Sequence, residues 1–198
     1  LNNIKISEQH ACVLNDEVAD VVIVGCGITG ASTAFHLAKN DPTAKYIVVE
    51  RDVISAGATG RNGGFICPGT SEAFSESVKR YGLTATQSMY NYTVQCTEAV
   101  KTFCNDHSVD CELRFHGSVQ LASSEEQLRN IQQSYEQLLS FGKDVEWWDH
   151  KVCVDQTKSN SFLGGMFKPL AGVLWAAKLV HALAAEATKM GVKFITHC

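Results

Sequence analysis

Residues 20–50 read DVVIVGCGITGASTAFHLAKNDPTAKYIVVE, and the order of features in this stretch decides the fold. It opens with four apolar residues, 21–24, the pattern of a strand buried on both faces. Gly25, Gly27 and Gly30 follow in GxGxxG spacing. Ala31, Ala34, Phe35, Leu37 and Ala38 then recur with helical periodicity until Asp41 and Pro42 stop the helix. A second β-like run, 46–49, ends in Glu50. Each glycine has its own chemical reason, since Gly25 makes a tight turn, Gly27 lets a pyrophosphate approach the backbone, and Gly30 lets the helix pack closely on the strand. The helix start at Ile28 and Thr29 offers unpaired N–H groups and a partial positive charge. Glu50, twenty residues beyond Gly30, is placed to accept hydrogen bonds from an adenosine ribose, which favours a ribose without a 2′-phosphate. This unit fits either NAD or FAD, because both carry the same adenosine diphosphate half. Cys26, inside the turn, reads as a small buried hydrophobe.

Working outward, GATGRNGGFICPG at 57–69 concentrates five of the fifteen glycines in thirteen residues. Glycine at this density permits positive φ and close approach of the main chain to a ligand. The loop begins seven residues after Glu50 and so lies near the carboxyl edge of the expected sheet. Ala58 and Thr59 offer N–H groups and a hydroxyl to phosphate, Arg61 can neutralise it, and Asn62, Gly63 and Gly64 can turn amide dipoles towards a ring system.

The combination of GCGITG, the pair Glu50–Arg51 and GATGRNGG resembles the amino-terminal part of the FAD-dependent oxidoreductases of the D-amino-acid oxidase superfamily. It is most like the amine-oxidising, γ-glutamylputrescine oxidase type, whose loop reads GASGRNGG, with Thr59 here in place of serine. The resemblance implies FAD as cofactor, held by Gly25, Gly27, Ile28, Thr29, Gly30, Glu50, Arg51, Ala58, Thr59, Arg61, Asn62, Gly63 and Gly64. It also implies oxidation of an amine or amino-acid-like C–N bond, with oxygen as electron acceptor. The implied fold is α/β: a Rossmann-like FAD-binding βαβ domain with an inserted α+β substrate-domain portion, the carboxy-terminal half of the family pattern lying beyond Cys198.

The expected layout is an amino-terminal extension over 1–17, the first part of the FAD-binding domain over 18–107, a substrate-domain portion over 108–168, and a return to the FAD-binding domain over 169–198. Met89, Tyr92, Cys96, Val100 and Phe103 suggest the apolar stripe of an amphipathic helix. CELRFHGSVQLA at 111–122 alternates like strands broken by Gly117. Ser124 and Gln127 have capping-box spacing ahead of an apolar face at Leu128, Ile131, Tyr135, Leu138 and Leu139. In WWDH, 147–150, the tryptophans read as packing residues, and Asp149 and His150 lack partners at triad or metal spacing. His116 and His181 are no better supported, so no catalytic residue and no metal site is assigned. Leu179, Val180, Leu183, Ala184, Ala187 and Met190 form a last helical face, ended by Gly191 and followed by a strand.

The net charge of -4, without dense Lys/Arg runs, argues against nucleic acid or an anionic membrane as partner. No apolar run reaches the roughly 20 residues of a membrane span. The eight cysteines are scattered, without metal-like spacing, which suits a reduced intracellular setting, cytoplasm or organelle, with no targeting signal in view. The start at Leu1 reads as processed or truncated. Two other functions stay open beside the leading one: a non-catalytic, truncated flavoprotein-like subunit of a larger assembly, and an NAD-dependent dehydrogenase; a second chain or the missing carboxy-terminal half would complete the fold.

Overall fold

The structure is a computed structural model and describes residues 10–11 and 18–198. The expected extension over 1–17 lies outside the described residues, except for the backbone of His10 and Ala11. In chain order the first elements are β1 (His10–Ala11), β2 (Val21–Val24), α1 (Ile28–Asn40), β3 (Tyr46–Val49), a 3-10 turn (Ala58–Arg61), β4 (Phe65–Ile66), α2 (Phe74–Tyr81) and α3 (Leu83–Asp106). Then follow β5 (Ser118–Ala122), α4 (Glu125–Ser140), β6 (Glu146–Trp148), α5 (His150–Thr157), β7 (Gly164–Lys168), β8 (Gly172–Val173), α6 (Ala176–Lys189) and β9 (Lys193–Thr196). They divide into two compact units.

Unit 1 takes the chain to Gly64, Cys104–Glu112 and Leu174–Cys198. Its sheet is parallel, in the order β1-β9-β3-β2, with Val21 opposite Tyr46 and Val24 opposite Val49. Parallel neighbours need a crossover, and α1 supplies it between β2 and β3. The expected apolar face of α1 is buried at Ala31, Ala34, Phe35 and Ala38, and it packs against α6 through the latter's Leu179, Val180, Leu183, Ala184 and Ala187. Asp41 closes α1, its N–H donating to the Leu37 carbonyl. The central strand β3 is buried at Tyr46, Ile47 and Val48.

Among the described residues β2 pairs with β3 alone, its Val21–Ile23 face turns inward, and Val22 and Val24 are 55% and 86% exposed, where the apolar run suggested burial on both faces.

Unit 2 comprises Phe65–Phe103 and Leu113–Val173. It holds the antiparallel sheet β5-β7-β6, the pair β4-β8, and a core of Phe74, Tyr90, Ala122, Ile131, Leu138, Val145 and Met166. Residues 65–103 therefore pack with this unit, whereas the sequence layout placed them with the dinucleotide-binding part. Phe74 and Tyr90 explain the difference, since both enter the unit 2 core and meet edge to face at 5.9 Å.

The face of α3 is also corrected. Met89, Tyr92 and Cys96 of the expected stripe are exposed, and the buried positions are Thr86, Tyr90, Thr97 and Cys104. Threonine can line this inner face because the Thr86 and Thr97 hydroxyls donate to the Gly82 and Thr93 carbonyls, four residues back, at 2.9 and 3.0 Å. WWDH is structural: Trp147 packs on Tyr135, Trp148 stacks on Phe167, Asp149 caps α5 through the Val152 N–H, and His150 Nδ1 meets the Phe162 carbonyl. The Ser124 cap of α4 is present, with Gln127 reaching back to Ser123.

Candidate functional site

The site is built in unit 1 at the carboxyl ends of β2 and β3. Gly25 turns the chain at a φ of 95°, a conformation that favours glycine, and its N–H donates to the Val49 carbonyl at 2.7 Å. This bond ties the turn to the neighbouring strand. Gly30 is needed for another reason: a Cβ there would sit 1.9 Å from the Gly25 carbonyl oxygen. Helix α1 can therefore begin directly against the turn only with glycine at this position.

The helix start is left open for an anion. Gly27 is the N-cap and supplies no side-chain acceptor, and the first turn of α1 contains no acidic residue. Of its leading amides, the Ile28 N–H donates to Thr59 Oγ1 at 3.0 Å, joining the GxGxxG turn to the second glycine-rich loop. A Cβ on Gly27 would lie 3.0 Å from the same hydroxyl. Thr29 lies exposed in the same first turn.

Glu50 lies between these parts. Its Oε2 accepts from the Cys26 N–H at 2.7 Å and its Oε1 from the Asp52 N–H at 3.0 Å. Each carboxylate oxygen accepts more than one hydrogen bond, so both keep capacity for a ligand hydroxyl. Cys26 is fully buried, and its thiol is pushed up to about 12 by burial and by the Glu50 charge, which leaves it inert at neutral pH. Arg51 is exposed, and no hydrogen bond or ion pair among the described residues draws it into the site.

The glycine-rich loop folds as the 3-10 turn Ala58–Arg61. Arg61 Nε donates to the Ala56 carbonyl at 2.9 Å, which fixes the stem of the guanidinium and leaves its two terminal nitrogens for a ligand. Asn62 is turned inward on its own loop: Nδ2 donates to the Ala58 and Thr59 carbonyls, and Oδ1 accepts from the Gly64 N–H at 2.8 Å. Ala58 and Gly63 remain exposed. Gly64 has a φ of 70°, and a Cβ there would lie 1.9 Å from the Leu174 carbonyl oxygen.

Ser55 belongs to no motif in the sequence. It holds a φ of 68° without being glycine, its N–H donates to the Cys26 carbonyl at 2.9 Å, and its hydroxyl is buried without a partner among the described residues. Its carbonyl lies 2.2 Å from where a Gly60 Cβ would stand, which explains that glycine. A left-handed, non-glycine residue with an orphaned hydroxyl is the kind of local strain that collects at ligand sites. The only sequence signal is its place between Glu50 and the glycine-rich loop.

The residues fit the diphosphate of a dinucleotide. An uncapped helix start, a turn where a Cβ on Gly25 or Gly57 would meet nothing within 4 Å, and a guanidinium with free nitrogens together make an anion cradle. Neither a helix long and apolar enough to cross a membrane nor a metal-binding cluster occurs among the described residues.

Comparison with known proteins agrees with this geometry. Residues 20–198 match the family described as FAD dependent oxidoreductase, DAO. The probable oxidoreductase OrdL of Haemophilus influenzae is 27% identical over 179 residues, 89% of this chain and 41% of that protein. The γ-glutamylputrescine oxidoreductase of Escherichia coli is 27% identical over 161 residues, 80% of this chain and 37% of that protein. The crystal structure of glycine oxidase from Geobacillus kaustophilus superposes with a TM-score of 0.71 at 22% identity, covering 90% of this chain and 46% of that one. The chain thus spans about two fifths of the length of the curated relatives it matches.

Proposed function

Because this chain belongs to the DAO family of FAD dependent oxidoreductases, we propose that it is the FAD-holding part of an enzyme that oxidises a small amine or amino-acid-like substrate at the carbon beside nitrogen. FAD, when bound, supplies the redox chemistry, taking a hydride from that carbon and passing two electrons to dioxygen, which with two protons becomes hydrogen peroxide. Everything else asked of these residues is binding and orientation. Gly27, Thr29 and Gly30 offer the diphosphate backbone amides, Gly25 shapes the turn and Ile28 ties it to Thr59, with Thr59 and Arg61 closing over the diphosphate from the second loop. Glu50 holds the adenosine ribose. Asn62 works through the backbone, keeping Ala58, Gly63 and Gly64 in the shape that meets the ring system. Ser55 adds a hydroxyl donor beside the turn, and Arg51 stands outside this set as a surface cation.

The observation that carries the reading is the Ile28–Thr59 hydrogen bond, which brings the GxGxxG turn and GATGRNGG into one cradle. An NAD-dependent dehydrogenase needs the first of these motifs and has no use for the second. In this proposal unit 1 is the FAD-binding portion, unit 2 a substrate-domain portion, and the remaining pocket walls come from sequence outside these residues or from a second chain. The test is reconstitution: the purified chain, incubated with FAD and desalted, should keep the yellow absorbance of oxidised flavin and quench its fluorescence. A folded chain that stays colourless, or that takes NAD in preference, refutes the proposal. Peroxide formation with amines in the full-length protein tests the substrate class separately.

A further inference from the structure

Unit 2 contains a cavity of about 220 Å³ lined by both apolar and polar residues. Its apolar lining includes Phe74, Leu138 and Met166, all nearly or fully buried. Its polar lining includes Lys168, at the end of β7, Tyr90, from the inner face of α3, and Gln120 and Ser134. Neither the Lys168 ammonium nor the Tyr90 hydroxyl has a hydrogen-bond or ion-pair partner among the described residues. The Tyr90 ring is well fixed, edge-on to Phe74 and beneath the Lys143 ammonium at 5.6 Å, so its hydroxyl has a defined position. The acid on the cavity lining, Glu72, is already matched by Arg80 at 3.5 Å and leaves Lys168 uncompensated.

Lys168 is half-buried and partly desolvated, and neither it nor the Tyr90 hydroxyl finds an acceptor among the described residues, so a ligand that supplies an anionic acceptor gains from both. We propose that this cavity binds the carboxylate of a small organic acid, with Lys168 and Tyr90 donating to the carboxylate and a short aliphatic stem lying on Phe74, Leu138 and Met166. The volume lies below the range of about 300–1,000 Å³ that serves drug-sized ligands, which sets the scale at a few carbons. One ammonium and one phenol suit a monoanion, and inorganic phosphate would make no use of Phe74, Leu138 and Met166 in the lining. Burial also holds Lys168 below the usual lysine pKa, with Cys67 acting in the opposite sense, and a bound carboxylate would restore the charged form. The inference stands on unit 2 alone and does not depend on the flavin reading of unit 1.

Isothermal titration of the full chain with butyrate, butanol and inorganic phosphate tests it. Butyrate should bind at one site and more tightly than the other two. Lys168→Met, which keeps the length of the side chain, should weaken butyrate by at least about tenfold, as expected for the loss of a charge-assisted hydrogen bond, while Lys168→Arg keeps most of the affinity. Tyr90→Phe should weaken butyrate severalfold without changing the charge, and thermal melting confirms that each variant folds. Equal butyrate affinity in folded Lys168→Met, tighter binding of phosphate or butanol, or no butyrate binding by the folded chain would each overturn the proposal.

Discussion

Replacing Glu50 with alanine should separate two roles that one carboxylate performs. In the structure its oxygens accept from the Cys26 and Asp52 N–H groups at 2.7 and 3.0 Å, bracing the GxGxxG turn from the end of β3. Hydrogen bonds to a charged group contribute about 1.5–3 kcal/mol each, and the Asp52 bond is exposed, so the pair together is worth about 2–3 kcal/mol of stability. Glu50→Gln keeps one acceptor oxygen and should lose about half of that. Losing the ribose contact should cost a further 1–3 kcal/mol of FAD binding, or about 5- to 150-fold in Kd. Urea unfolding reads the first quantity and quenching of FAD fluorescence reads the second. If Glu50→Ala falls in stability as expected but binds FAD with unchanged affinity, the ribose role is wrong. If affinity falls and the unfolding midpoint stays put, the brace is wrong.

Three further outcomes are expected. Gly30→Ala should cost about 3 kcal/mol, because its Cβ would lie 1.9 Å from the Gly25 carbonyl oxygen, while Gly57→Ala, which meets nothing within 4 Å, should be nearly neutral; equal urea midpoints would defeat the close-packing account. His181 is half-buried with Nδ1 unpartnered among the described residues, and burial lowers its pKa below 6.5. The unfolded chain therefore takes up the proton more readily: stability is full above about pH 6.5 and is lost as pH falls through the lower folded value. Unfolding free energies measured from pH 7.5 to 5.5 should show this slope in the parent and a shallower one in His181→Leu. Thiol labelling of the native chain should modify exposed Cys67 and Cys96 first, while Cys26 and Cys104, both pushed up to about 12 by burial, stay silent until urea is added; early labelling of Cys26 on peptide mapping would contradict the buried turn.

The dinucleotide turn was legible because its demands are local. Gly25, Gly27 and Gly30 answer to backbone geometry within six residues, and Glu50 follows at a distance fixed by one helix and one strand. The second loop stood out by its glycines, but the work of Asn62 was not legible, since its side chain bonds to Ala58, Thr59 and Gly64 of the loop itself. Ser55 escaped notice because a positive φ on serine leaves no trace in composition. Hydropathy misplaced the inner face of α3, where Thr86 and Thr97 hide their hydroxyls by bonding to carbonyls four residues back. Among the described residues six cysteines are free thiols, as their scatter suggested, although Cys198 is disulfide-bonded, which it did not.

The pairing of β2 with β3 alone among the described residues has a kinetic consequence for the turn it carries. Val21 and Gly25 donate to Lys45 and Val49 of the β3 side, so the alternate amides of Val22 and Val24 aim away from β3. In hydrogen–deuterium exchange these two amides should trade within the fastest class of the sheet, while Gly25 is held back by its bond to Val49. Among the described residues the turn is thus tied to β3 by a single row of hydrogen bonds, which sets its opening rate in this chain. A ligand gripping the start of α1 would slow exchange at Gly25 more than at Val22, a local clamp rather than a tightening of the whole sheet.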